Sequence, residues 1–309
     1  MKPLKEKNKM LKNIVKTKIV CLLFLASVST YSQPFGGGSG TSTDPYKIYI
    51  LEHLIELSDS IKKIGDFSNK HFYLMNDITD SLREPIGFRG SGNSPGVFIS
   101  GSFNSQGHSV NLAIEDFHSG GLFSEINNTI IMNVVINGYI RGAGLNGAGG
   151  VVGKISQNSK GPSKIMNCIN NACIMSDGLA GGIIGVVYYE VVVENCINLG
   201  TIGIMNNFPP AMYKGVGGIL GSDNSFLFSF MGGGTSVILN NSNYGFVNGG
   251  GYDVGGIIGH SINNTIISNN SNFGVVLGTK NVGCIIAIKG TNTILINNHY
   301  DKQMCGEED

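Results

Sequence analysis

Gly149-Gly150-Val151-Val152-Gly153 returns as Gly181-Gly182-Ile183-Ile184-Gly185, then as Gly217-Gly218-Ile219-Leu220-Gly221 and Gly255-Gly256-Ile257-Ile258-Gly259. A degenerate copy precedes the series at Gly120-Gly121-Leu122-Phe123-Ser124, and another follows at Gly283-Cys284-Ile285-Ile286-Ala287. The second position falls at residues 121, 150, 182, 218, 256 and 284, in steps of 29, 32, 36, 38 and 28. Self-similarity at such a period marks a stacked repeat, because a unit this small cannot bury its own apolar face.

Each unit carries a second half-motif ending in asparagine: Ile131-Met132-Asn133, Ile165-Met166-Asn167-Cys168, Val193-Glu194-Asn195-Cys196, Ile238-Leu239-Asn240-Asn241, Ile267-Ser268-Asn269-Asn270 and Leu295-Ile296-Asn297-Asn298. A glycine usually follows, at Gly138, Gly200, Gly245 and Gly274, with an apolar residue two positions on, at Ile140, Ile202, Val247 and Val276. Short strands with alternating inward aliphatics fit this pattern. Glycine is expected to supply the positive-φ corners. Stacking places equivalent positions about 4.8 Å apart, so Asn133, Asn167, Asn195, Asn240, Asn269 and Asn297 are expected to form a side-chain ladder. The steps are too irregular for a coiled coil, and each unit holds too few strands for a propeller blade. The expected fold is all-β: a right-handed parallel β-helix with a small N-terminal α/β cap, the handedness following the general preference of parallel crossovers.

Composition agrees. The 309 residues include 46 glycines, no tryptophan and only 14% charged residues, with zero net charge. A neutral chain offers no basic face to nucleic acid or an anionic membrane. The 41% apolar content is sufficient for a core. A basic stretch from Lys2 to Lys18 precedes the apolar run Ile19 to Val28 and the small-residue sequence Thr30-Tyr31-Ser32-Gln33. That order predicts a cleavable export signal over residues 1–32, and no membrane span after cleavage. Residues 33–45 then read as a flexible linker, 46–117 as the N-terminal cap and first coils, 118–300 as the repeats and 301–309 as a tail. Within the cap, Leu51, Leu54, Ile55, Leu57, Ile61 and Ile64 have the spacing of an amphipathic helix. The C-terminal end has no evident cap: either Tyr300 to Met304 fold over the last coil, or the chain is a shortened form of something longer.

Five cysteines follow the signal: Cys168, Cys173, Cys196, Cys284 and Cys305. They are odd in number and sparse, so they suggest neither a disulfide scaffold nor a zinc site. Cys168 and Cys196 share one repeat position and are expected as buried thiols, because in-register side chains on parallel strands point the same way.

Several segments resemble bacterial surface proteins with GLUG motifs: Gly38-Ser39-Gly40-Thr41, Asp44-Pro45-Tyr46, Leu74-Met75-Asn76-Asp77-Ile78, Pro85-Ile86-Gly87, Gly101 to His108, Gly121-Leu122-Phe123 and Tyr300-Asp301-Lys302-Gln303-Met304. The resemblance covers residues 36 to 304. It implies a secreted or cell-surface β-helix of Bacteroidetes type, often adhesin-like. Some GLUG proteins are joined to immunoglobulin-cleaving metallopeptidases, but this chain has no His-Glu-x-x-His zinc motif.

Catalytic residues are not expected. Between residues 118 and 300 the acids Glu125, Asp177, Glu190, Glu194, Asp223 and Asp253 lie in different units, and the reading is of solvated surface acids. Glu190 and Glu194 would stand about 13 Å apart on a strand, too far for a retaining carboxylate pair. No cofactor or metal is expected. The longest steps carry insertions rich in aromatics, Phe208 and Tyr213 in one and Phe226, Phe228 and Phe230 in the other. Insertions in solenoids leave the core as loops, so these five are the candidate ligand-binding residues. The expected function is adhesion or display towards glycans or host matrix proteins, without catalysis. The alternative is a polysaccharide-binding or -cleaving β-helix that uses the same loops.

Overall fold

A computed structural model describes residues 35–64, 68–87, 97–115, 119–142, 147–156, 161–205, 215–223, 235–262 and 264–306. Short strands pair in parallel into four sheets of nine, five, seven and twelve strands. One coil shows the path. Ala148–Gly149 lies in the five-stranded sheet, Val152–Ile155 in the seven-stranded one and Ser163–Met166 in the nine-stranded one; Ile169–Asn170 and Cys173–Ser176 lie in the twelve-stranded sheet. The chain then re-enters the five-stranded sheet at Ala180–Gly181. The architecture is the expected all-β parallel β-helix with an N-terminal helical cap.

Columns of inward side chains make the core. In the nine-stranded sheet Phe72, Phe103, Ile131, Ile165, Val193, Ile238 and Ile267 follow one another in register, all with no solvent exposure. Aromatics fill the first coils, where Phe98 stacks on Phe123 at 5.6 Å and Phe72 meets Phe98 edge-on. Aliphatics fill the later ones. At the N-terminal end lies helix α1, Leu51–Ile64, which buries Leu54, Leu57 and Ile61 and leaves Ile55 exposed.

From Phe35 on, the stretch expected as a linker is tied to the first strands. Gly36 N donates to Lys47 O, Lys47 N donates to Gly37 O, and His71 N donates to Gly40 O. Phe35 is buried against Tyr46 and Phe72. An aromatic anchor and strand-like pairing override the local glycine content.

The corners match expectation only in part. Glycine takes positive φ at Gly107, Gly138, Gly142, Gly147 and Gly250, but the corner that recurs from coil to coil belongs to asparagine, with Asn133, Asn167, Asn195, Asn240, Asn269 and Asn297 all between 49° and 60°. Asparagine tolerates this left-handed region better than other side-chain-bearing residues. The glycine pairs of the repeat do not take positive φ; they are small because other atoms occupy the space. A Cβ on Gly255 would stand 1.8 Å from Ile258 O, and one on Gly218 would stand 2.2 Å from Gly256 O.

The predicted asparagine ladder exists in its lower part, where Asn133, Asn167 and Asn195 each donate to the asparagine one coil earlier at 2.9, 3.1 and 3.3 Å. A second ladder is fully buried. Asn170 donates to Asn198, Asn198 to Asn243 and Asn243 to Asn272, each at 2.8 Å. Each of the four also donates to the carbonyl two residues on, so both amide hydrogens are used. A third runs through Asn241, Asn270 and Asn298. Its position in earlier coils belongs to Cys168 and Cys196, which are buried free thiols as expected. Burial pushes the Cys196 thiol well above its ordinary range.

The tail closes part of the far end. Lys302–Cys305 forms a 3-10 helix capped by Asp301, whose carboxylate accepts from Gln303 N, and Cys305 forms a disulfide with Cys284. The sparse cysteine set therefore does yield one disulfide, made by folding the tail over the last coil. Among the described residues no helix is long and apolar enough to cross a membrane.

Candidate binding surface

The twelve-stranded sheet begins with Ile78–Leu82 and continues in the long strands Ser109–Glu115 and Val135–Arg141, which pair residue for residue. Higher up, it splits into two short columns around Ala172, Gly200, Gly245 and Gly274. The carbonyl of the coil before presses on each of these glycines: a Cβ on Gly245 would meet Gly200 O at 2.0 Å, and one on Gly274 would meet Gly245 O at 2.0 Å. The residue on either side of each glycine then points outward, between the inward asparagine and the inward aliphatic. Period-two alternation fixes this, as in Asn243 in, Tyr244 out, Phe246 out, Val247 in.

The outward residue before the glycine position is polar in the early coils. There Asn171 donates to Asn137 at 2.9 Å. From the next coil on the same column reads Leu199, Tyr244, Phe273, with exposures of 52%, 52% and 46%. The Tyr244 and Phe273 rings stack at 5.1 Å with 21° between their planes, close to the coil repeat. The column after the glycine adds Phe246 and Val275, and Leu277 stands one step beyond; all three are exposed. Six large apolar side chains thus form one flank of the upper coils. Contiguous exposed apolar surface of this kind is unusual unless it binds something.

The five aromatic residues predicted as the ligand-binding set, Phe208, Tyr213, Phe226, Phe228 and Phe230, lie outside the described residues. The flank was missed because its members occur singly in different units. Aligning the units on the glycine of the second half-motif would have brought Leu199, Tyr244 and Phe273 into one column.

Three of the acids read as solvated are buried. Glu125 pairs with Lys154 at 3.1 Å. Asp223 has no exposure and accepts from Thr265 Oγ1 at 2.8 Å, within a chain of hydroxyls through Ser261 and Thr293. Asp253 accepts from Asn281 at 2.7 Å and stands 3.2 Å from His260 Nδ1. Burial lowers the His260 pKa more than the nearby carboxylate raises it. All three acids lie within strands: Glu125 in Phe123–Asn127, Asp223 at the end of Leu220–Asp223 and Asp253 at the start of Asp253–Gly255. Among the described residues no three His, Cys, Asp or Glu side chains converge as a metal site.

The fold and flank define a parallel β-solenoid with an apolar ridge. No family model and no curated protein matches the chain. A crystal structure from Bacteroides ovatus, described as a putative immunoglobulin A1 protease, is similar in fold, with a TM-score of 0.65 and 22% identity. The match covers 86% of this chain and 78% of that one.

Proposed function

We propose that this chain is an exported, non-catalytic β-helix of the GLUG surface-protein type that adheres to an extracellular protein through the flank built on Tyr244 and Phe273. The observation that carries the reading is the exposed ring stack set among Leu199, Phe246, Val275 and Leu277. A solenoid holds such a ridge rigid, so binding costs little conformational entropy. Stacking also turns one face of each ring towards the other, which takes those two faces from any sugar ring. A sugar ring packs on an open aromatic face, whereas an apolar protein patch packs well against a ridge of rings and methyl groups. The basic-apolar-small order of residues 1–32 supports export.

The test exposes the purified full chain to arrays of extracellular proteins and of glycans, with cleavage products recorded on the same samples. Retention of a protein without new fragments is the expected result. Retention of glycans alone would overturn the choice of ligand. Proteolysis, the activity attributed to the structural neighbour, or release of sugars would overturn the non-catalytic reading.

A further inference from the structure

The outer face of the nine-stranded sheet is apolar over five successive coils. Register sets Ile130, Lys164, Val192, Val237 and Ile266 in one column, and Met132, Met166, Glu194, Leu239 and Ser268 in a second. The buried column from Ile131 to Ile267 runs between them, so by alternation both point outward. Lys164 is exposed and the other nine residues are partly exposed. All five coils are interior ones, with a strand paired on either side in this sheet. Seven of the ten outward side chains are apolar, so the face is closer in character to a core than to a surface.

The strands of this sheet read as unbroken apolar runs, as in Ile130-Ile131-Met132, Val191-Val192-Val193 and Val237-Ile238-Leu239. Parallel strands have that character where both faces of their sheet are covered, whereas a face left in water alternates with polar residues. Among the described residues no helix or strand packs across the outer face. At about 4.8 Å per strand, nine strands make a wall about 38 Å tall, and four residues make it about 13 Å wide. The wall thus offers about 500 Å² on each of two copies, and specific interfaces begin at about 1,000 Å² in total.

We infer that the same face of a second copy of this chain covers the wall, giving a two-fold dimer of solenoids lying side by side. The two charges of the wall select both the occupant and the axis. Lys164 and Glu194 stand in different columns and in adjacent coils. Among the described residues neither forms an ion pair within its own chain. A two-fold axis parallel to the stack exchanges the columns and leaves every coil at its own height. Lys164 of one copy then lies over the column that holds the partner's Glu194, one coil step of about 4.8 Å away and within reach of a lysine side chain. Symmetry makes the pair twice and permits no sliding along the stack. The apolar columns meet each other in the same arrangement, coil over coil. An axis along the strands would keep each column over itself and leave the two charges in separate columns. The wall is at the lower bound of a specific interface, so the dimer should form at about micromolar concentration.

Analytical ultracentrifugation of the purified full chain from about 1 to about 100 µM tests this. The expected result is a rise from one-chain to two-chain mass. Lys164→Glu sets like charges together across the axis and should raise the dimer Kd at least about tenfold, as should Glu194→Lys. The double variant Lys164→Glu, Glu194→Lys recreates the pair and should restore the wild-type Kd. Both side chains lie outside the core, so circular dichroism and Tm should hold in all three. Tyr244→Ser, on the flank, should leave the dimer intact, which separates this contact from the proposed adhesive surface. A one-chain mass for the wild type at the highest concentration would overturn the inference. So would a dimer indifferent to either single swap, a double swap that fails to restore it with the fold intact, or a dimer lost with Tyr244→Ser.

Discussion

Asn198 donates a 2.8 Å side-chain hydrogen bond to Asn243, a residue 45 positions later in the chain, with both fully buried. Both insertions, Asn206 to Tyr213 and Phe226 to Gly234, fall between them in the sequence. The bond nevertheless matches those from Asn170 to Asn198 and from Asn243 to Asn272, which span 28 and 29 positions. The strands flanking each insertion belong to different sheets, Ile202–Ile204 and Gly215–Gly217 around the first and Leu220–Asp223 and Ser236–Leu239 around the second, and the stacking register is the same on either side.

The ladder should be costly to break. Asn243→Ala removes donors to Asn272 and to Gly245 O and strands the Asn198 amide. Buried groups left without partners cost about 1–3 kcal/mol each. Denaturant unfolding should show a loss of about 3 kcal/mol; a change under about 0.5 kcal/mol would mean that the ladder contributes little.

Glycine requirement should follow space and not turn type. Gly218→Ala places its Cβ 2.2 Å from Gly256 O and 2.4 Å from the Asn243 side chain, and should destabilise strongly. At Gly251 a Cβ meets nothing within 4 Å, so Gly251→Ala should lie within about 0.5 kcal/mol of wild type. Melting temperatures of the two variants give the comparison, and equal effects would contradict the steric account.

Most of the architecture is legible in the repeats. The aliphatic pairs fix the coil, and the half-motif fixes where each turn ends. Three features were not legible for physical reasons. The corner ladder is legible and exists in the lower coils, but the buried ladders through Asn170 and Asn241 are not, because nothing in Ile-Leu-Asn-Asn says which amide turns inward until φ is known. The linker was read from glycines whose neighbour Phe35 is an anchor. Buried Asp223 looks like any isolated acid until Thr265, from the next coil, stands beside it. The flank was legible in principle, since Leu199, Tyr244 and Phe273 each precede the same glycine.

Acid should weaken the protein through His260. Burial holds its pKa below the ordinary value, while the unfolded chain takes up a proton near pH 6.5. As pH falls through that value the unfolded state gains the proton first, so stability declines until the folded-state pKa is passed. His260→Gln should flatten the dependence of Tm on pH in that window. An unchanged slope would assign it to other groups.

The disulfide should hold the lid. Closing a loop of 21 residues is worth about 3 kcal/mol in the chain-entropy account. Cys305→Ser should raise amide exchange over residues 276–300 and spare the coils below, because solenoid coils depend chiefly on their neighbours. Uniform exchange along the whole chain would contradict that locality.

The most direct test of the adhesive reading is the affinity of a captured extracellular protein for wild type and for the Tyr244→Ser, Phe273→Ser double variant, measured by surface plasmon resonance. Central aromatic contacts typically contribute 2 kcal/mol or more, so Kd should rise at least about 30-fold while circular dichroism and Tm hold. An unchanged Kd with an intact fold would contradict the assignment of the flank as the binding surface.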